Sequence, residues 1–314
     1  MQETLPSSSA PITIQAPLAH ETMLGRTIKR FRSHRMAIVG TVIIVLIAAY
    51  VLGGSFFVTE RYANATDFRN KWAPPSAEHP MGTDAVGRDV LARTIYGGQV
   101  TLMISFLAMT VTAILGTVLG LLSGYYGGLL DSAIMRVTEA LLSIPLLFLL
   151  LVISKFIGVQ VGDVQLFGRE FSGSVLVVIL VLGFTGWMGL ARIVRAQVLS
   201  LREQDFVIAA RALGARNVAI IFRHIMPNTM APVIVYTTLG ISNVILLEAY
   251  VGFLGMGVQP PTASWGNMIQ RATEKIDSAW WMWFFPGALI LFTVLSINTI
   301  GDGLRDALDP YSRK

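Results

Sequence analysis

Apolar residues fill six stretches of the chain almost without a break: Met36–Val58, Val100–Gly124, Ala133–Ile157, Ser174–Ala196, Met230–Val251 and Trp283–Ile300. A helix needs about 20 such residues, at about 1.5 Å rise each, to cross roughly 30 Å of hydrocarbon. One run of this length is compatible with a buried helix of a large soluble protein; six predict membrane-spanning helices. No period-two alternation suggests a transmembrane barrel. The third run carries Glu139 and Pro145 and is the weakest by hydropathy.

The polar stretches complete the layout. Met1–His20 is rich in Pro and Ser and reads as a flexible tail. Arg26, Lys29, Arg30, Arg32 and Arg35 then precede the first run. That run is longer than the apolar core of a signal peptide, about 7–15 residues, and no small-residue cleavage site follows Tyr50, so it is expected to stay as a helix. The expected organisation is a basic tail over residues 1–35, a first span over 36–58, an outer segment over 59–99, a helical core over 100–302 and a short tail over 303–314.

Composition narrows the chemistry. Only 14% of the 314 residues are charged, against about 25% in soluble domains. The chain has no Cys, which excludes thiol catalysis and Cys-ligated zinc or iron–sulfur sites. His20, His34, His79 and His224 lie too far apart in sequence to show metal-ligand spacing. The net charge of +5 therefore bears on membrane orientation rather than on nucleic acid. With the N-terminus inside, 15 of the 24 Lys and Arg residues fall on the inner side, which places both ends in the cytoplasm. Trp280, Trp281 and Trp283 then stand at the outer start of the last span, as an interfacial belt would.

Two connections are long, about forty residues outside and the segment 197–229 inside, and long connections are more often functional than structural. In the inner one, Phe206, Ala209, Ala210 and Leu213 recur at helical spacing with Arg202, Asp205 and Arg211 between them. Gly214 interrupts, Asn217 is placed to cap a second short helix over Val218–Ile225, and Pro227 is placed to stop it. Two short amphipathic helices at a glycine elbow are the result. Periodicity alone leaves open whether they lie on lipid headgroups or dock a cytoplasmic partner.

The elbow resembles the cytoplasmic loop of ABC-importer permeases, whose pattern is Glu-Ala-Ala, three residues, Gly, nine residues, Ile-x-Leu-Pro. Ala209, Ala210, Gly214 and Pro227 match at the required spacing, while Ile208, His224 and Met226 replace the usual Glu, Ile and Leu. Gly82–Leu102, Gly124–Leu141, Phe253–Ile269 and Ile300–Pro310 are similar to segments of the C-type subunit of dipeptide and oligopeptide (peptide/nickel) transporters.

The resemblance implies an all-α polytopic fold, that of type I importer permeases with six transmembrane helices, in a prokaryotic plasma membrane. It implies a heterodimer with a second homologous permease, two cytoplasmic ATPases that carry ATP and magnesium, and an extracytoplasmic substrate-binding protein. This chain itself would bind no cofactor, metal or nucleic acid and would not be an enzyme. The cargo would be di- or oligopeptides or related small solutes. Asp205, Phe206, Ala209, Ala210, Arg211, Leu213, Gly214, Arg216 and Pro227 would form the contact with the ATPase. Phe206 and Leu213 would fill apolar sockets, and Arg211 and Arg216 would either pair with acidic residues of the ATPase or stay solvated.

The chain has no phosphate-cradling Gly-x-x-x-x-Gly-Lys-[Ser/Thr] loop, so ATP chemistry is placed elsewhere. Gly116, Gly120 and Gly124 recur every four residues and predict close helix packing. Gly124, Gly127 and Gly128 predict a tight turn. Ionisable and amide side chains inside spans mark paths or structural pairs. Glu139 is expected to pair with Arg136 or to line the translocation path; Asn243 and Glu248 are candidates for the same path. Asp84, Arg88 and Asp89 are expected to form a local charge network outside or, as the alternative, to touch the binding protein, and Gln259-Pro260-Pro261 with Trp265 to form an ordered outer turn near the mouth. An ion-gradient transporter, which usually shows internal repeats absent here, and a non-transporting scaffold are the alternatives.

Overall fold

The computed structural model describes residues 23–157, 161–166 and 168–309. Residues 1–22 of the tail expected over 1–35, and residues 310–314 of the other tail, lie outside the described residues. Among the described residues, five helices are long and apolar enough to cross a membrane, and a bent pair supplies a sixth crossing if counted as one span.

Helix α1 (Met23–Ser33) is short and basic. His34 caps α2 (Arg35–Gly53), its Nδ1 accepting from the Ala37 amide at 3.1 Å. A short helix, α3 (Glu60–Asn64), and an irregular outer segment lead to α4 (Val90–Tyr126). Asp89 caps α4 through the Ala92 amide at 2.8 Å. The helix starts ten residues before the apolar run because its first turns pack against the outer segment: Ala92 and Ile95 bury with Ala63. Its 37 residues span about 55 Å, well beyond the hydrocarbon.

Glycine lets α4 lie directly on α7 (Gly173–Leu201). A Cβ on Gly116, Gly120 or Gly124 would come within 2.7 Å of Leu190, of the Ala191 carbonyl and Val194, or of Val198. The predicted small-residue face is thus a backbone-to-backbone seam. One core cluster follows it outward, from Val100, Ile104 and Ala108 to Val175, Val178 and Leu182.

The third apolar run is not one helix. It forms α5 (Gly128–Leu142) and α6 (Leu146–Ile157), bent by 81° at Ser143–Pro145. Pro145 has no amide hydrogen to donate, and its ring clashes with the preceding turn, so the helix breaks there. A small hairpin of β1 (Val164–Leu166) and β2 (Arg169–Phe171) pairs Val164 with Phe171 and enters α7. Arg169 ties it down: its guanidinium grips Glu60 at 2.8 and 2.9 Å and lies over the rings of Tyr96 and Phe171.

After α7 come α8 (Asp205–Ala212) and α9 (Asn217–Ile220), then α10 (Met226–Phe253), α11 (Trp265–Ala272) and α12 (Trp281–Leu308). The chain from Asn217 to Phe253 is in fact one continuous helix. Pro227 does not stop it. A π-helical turn over Ile221–Ile225 shifts the backbone ladder just ahead of the proline, with the Met226 amide reaching back to Ile221. Such turns absorb a residue that cannot donate. Helix α2 packs on α12, and Ile47, Val51, Ile290, Val294 and Ile297 share a core with Trp265. Helix α1 closes on the end of α12, where Arg30 Nη1 donates to the Asp309 carbonyl at 2.9 Å.

Candidate functional site

The elbow is a rigid piece with two opposite faces. Val207, Ile220, Ile221 and Ile225 are buried and join Leu190, Val194 and Val198 of α7 and Leu121 and Tyr125 of α4 in one cluster. Polar contacts fix it further. Arg202 Nη1 donates to the Gly124 carbonyl at 3.1 Å, and the Tyr125 hydroxyl donates to Asn217 Oδ1 at 2.9 Å. Asn217 is therefore a tether to α4 rather than a side-chain cap for α9, whose cap position is Arg216. Beneath it, Arg195 pairs bidentately with Asp131 of α5, and Ser123 donates to the same carboxylate.

The other face is bare. Asp205, Phe206, Ala209, Arg211, Gly214 and Arg216 are all exposed. Leu213 is 89% exposed, and Ile208, Val218 and Phe222 of the same segment are exposed as well. Exposed apolar groups at such density mark an interaction surface. The Phe206 ring tilts over His224, and the Arg211 guanidinium lies 6.0 Å from the Tyr125 ring centre. Ala210 is half-buried, and Pro227 sits inside the long helix. Gly214 adopts φ +81°, which a side chain resists. Its surroundings are open, so it serves the turn and not a close helix approach.

The three path candidates part company. Asn243 is exposed and its side chain makes no hydrogen bond within the described residues, whereas its neighbour Ser242 is buried and donates to Asn298 Oδ1 at 2.6 Å. Glu139 and Arg136 are both exposed and form no ion pair with each other. Glu248 is fully buried; its Oε2 accepts from Thr101 of α4 at 3.1 Å, in the node where the Trp265 amide also reaches Thr101 at 3.2 Å. It therefore lies inside the chain, on no face open to a second molecule.

At the outer end, Asp84, Arg88 and Asp89 do form a network, and it is larger than expected. Arg88 pairs with Asp84 at 2.7 Å, and His79 Nδ1 meets Asp89 at 2.8 Å. Arg93 stands 3.9 Å from Asp84 and donates to Asn64 at 3.1 Å. Partial burial, then the nearby Arg88 charge, hold the Arg271 guanidinium below its ordinary pKa. His79, Asn64 and Arg93 had no sequence signal, since their partners lie nine residues or more away. Trp265 is wholly buried, with Nε1 donating to the Thr94 carbonyl at 2.9 Å. Trp281 is likewise buried and donates to the Thr83 carbonyl at 3.1 Å, which leaves Trp280 and Trp283 as the exposed pair of the expected belt. Among the described residues no three acidic or His side chains gather to hold a metal.

Five apolar crossings among the described residues, a sixth if the bent pair counts as one span, and an anchored elbow define a helical multi-pass membrane protein. Residues 116–314 match the family described as the binding-protein-dependent transport system inner membrane component, and residues 22–75 match the N-terminal TM domain of oligopeptide transport permease C. The chain belongs to this family of binding-protein-dependent permeases.

It is 40% identical over 291 residues to the dipeptide transport system permease protein DppC of Alkalihalophilus pseudofirmus, covering 90% of this chain and 88% of that protein. It is 38% identical over 285 residues to the oligopeptide transport system permease protein OppC of Bacillus subtilis, covering 91% and 88%. A putative peptide permease protein of Brucella suis is 36% identical over 99% of this chain and 94% of its own length. In fold, the chain is similar to the inward-facing MetNI methionine ABC transporter, with a TM-score of 0.52 at 20% identity, over 68% of this chain and 94% of that one.

Proposed function

We propose that this chain is one half of the membrane channel of an ATP-driven peptide importer, with the 197–229 elbow seated in a cytoplasmic ATPase. The observation that carries the reading is the two-faced elbow. Its buried side is welded to α4 and α7, and its exposed side presents Phe206, Leu213 and Phe222 to a partner. A stiff, anchored element of this kind passes on the motion of whatever grips it. Asp205, Ala209, Arg211, Gly214 and Arg216 complete the exposed surface, and Ala210 and Pro227 hold its frame. Both termini face the cytoplasm of a prokaryotic cell on this reading. ATP and magnesium reside on two ATPase subunits, a second homologous permease completes the channel, and an extracytoplasmic binding protein supplies cargo. The relatives named for dipeptide and oligopeptide transport support peptides as that cargo.

Asn243 supports the location of the path. An amide at mid-span without a partner costs several kcal/mol in hydrocarbon, on the order of 2–7. The α10 face that carries it is therefore the one turned toward water or toward the second permease. Glu139, on the exposed side of α5 just before the bend, belongs to the same path.

Glu248 fits a different role, joining α4 and α10 through Thr101. The test is a photo-cross-linking residue at Leu213 in the native membrane, paired with peptide uptake into proteoliposomes holding the reconstituted complex. Capture of a nucleotide hydrolase and uptake that requires ATP and the binding protein are expected. An elbow labelled only from the extracytoplasmic side, or uptake driven by an ion gradient alone, would overturn the assignment.

A further inference from the structure

A cavity of about 400 Å³ opens where α7, α10 and α12 meet, near the elbow end of the bundle. That volume is within the roughly 300–1,000 Å³ of small-molecule sites. Its floor is apolar: Ile193, Pro232, Val235, Tyr236 and Leu239. Its rim is charged. Arg305 lines it and is exposed, with no ion-pair partner among the described residues. Arg192, adjacent to the lining residue Ile193, is exposed and equally unpaired among the described residues. Arg30 binds the Asp309 carbonyl, also on the rim; Asp309 contributes the one carboxylate of the lining.

The position of the cavity on α10 decides what fills it. At 100° per residue, Pro232, Tyr236, Leu239, Asn243, Leu246 and Tyr250 fall on one face of the helix, within about 40° of its mid-line. The cavity thus lies directly below the unpartnered Asn243 amide. A face bearing that amide is not a lipid face, so the cavity continues the polar path rather than the bilayer.

We propose that this cavity is the cytoplasmic vestibule of the translocation path, and that Arg305 and Arg192 form a cationic lip that receives the carboxylates of a departing peptide. The inference rests on the peptide-importer reading and deepens it. Apolar walls tolerate varied side chains, while a lip of guanidinium groups interacts with the feature peptides share, the terminal carboxylate, and adds to it for acidic residues. Acidic peptides are therefore favoured over basic ones of equal length at this step.

The experiment compares wild type with Arg305→Glu and the double variant Arg305→Glu/Arg192→Glu, each as the full complex in proteoliposomes. Uptake of Ala-Glu-Ala and of Ala-Lys-Ala is measured in the same preparation, so poor assembly lowers both alike and leaves their ratio intact. The acidic-to-basic ratio falls about fivefold for the single change, the equivalent of one partly exposed charge contact, and further for the double. Arg305→Lys restores the ratio. If Arg305→Glu does not assemble, Arg305→Gln shows a smaller fall in the same direction.

An unchanged ratio in every assembled variant overturns the vestibule. So does a tightly held phospholipid, seen by native mass spectrometry, that is lost with Arg305→Glu while the ratio stays constant. Failure of the peptide-importer reading looks different: wild type then takes up neither peptide with ATP and binding protein present.

Discussion

Leu213 offers a separation between folding and docking. Its side chain is 89% exposed, so truncation removes almost no contact within the chain. Burying a whole leucine side chain is worth about 1.5–3 kcal/mol. Leu213→Ala keeps the first carbon and forfeits about 1–2 kcal/mol of that on docking, which weakens ATPase binding by about 5- to 30-fold. Val207 is the opposite case, in the first turn of the short helix α8 that Leu213 follows, and wholly buried in the anchor cluster. Val207→Ala costs on the order of 2 kcal/mol of fold stability through lost contacts and a residual void. The assay is the affinity of the purified ATPase for the detergent-solubilised permease pair, measured beside the thermal unfolding midpoint. Leu213→Ala should lower affinity at an unchanged midpoint, and Val207→Ala should lower the midpoint. Undiminished affinity for Leu213→Ala, with the wild-type pair binding, refutes the claim that this exposed leucine enters the interface.

Other perturbations test the frame. Gly120→Val should lower the unfolding midpoint through about 1–3 kcal/mol of overpacking against Ala191 and Val194, while Gly53→Ala, with open space around it and an ordinary helical φ, should leave it unchanged or raised. Gly214→Ala should cost about 1–2 kcal/mol of local backbone strain at φ +81°, read as faster hydrogen exchange confined to 205–220. Trp265→Phe should destabilise by about 1–3 kcal/mol, because the Thr94 carbonyl loses its indole donor in a dry core; an unchanged melting curve would show that water replaces it. Asp131→Asn should loosen α5 from α7, seen as proteolysis near the Ser143–Pro145 bend, by removing the charge on which Arg195 closes.

Long-range pattern carried most of the architecture into view. Apolar run length located the spans, and the four-residue recurrence of Gly116, Gly120 and Gly124 located the seam, because both reflect demands repeated along the helix. Single residues that act against their local propensity were harder to read. Pro227 looked like a stop because its effect on an α-helix is severe, yet one π turn ahead of it accommodates the ring. Pro145 has the same chemistry without such a turn and breaks its helix. Trp281 looked interfacial by type, but it found a backbone carbonyl and could be buried, as Trp265 did in the outer turn. Glu248 looked like a path residue because a charge within a span is costly; its partner Thr101 lies far off in sequence, where no motif reveals it. At the elbow the exposed and buried faces alternate over single turns, so spacing marked the helices while only the packing showed which side was free.

The seam between α4 and α7 has a mechanical meaning. Two rods joined along their backbones at three successive turns resist bending as a single beam, far stiffer than either alone. One end of that beam is clamped to the elbow by Tyr125, Arg202 and the cluster around Val198. The other reaches the Asp84–Arg88–Asp89 knot, where α4 begins. A tilt imposed at one surface of the membrane therefore arrives at the opposite surface as a tilt of the same helix, with little lost on the way.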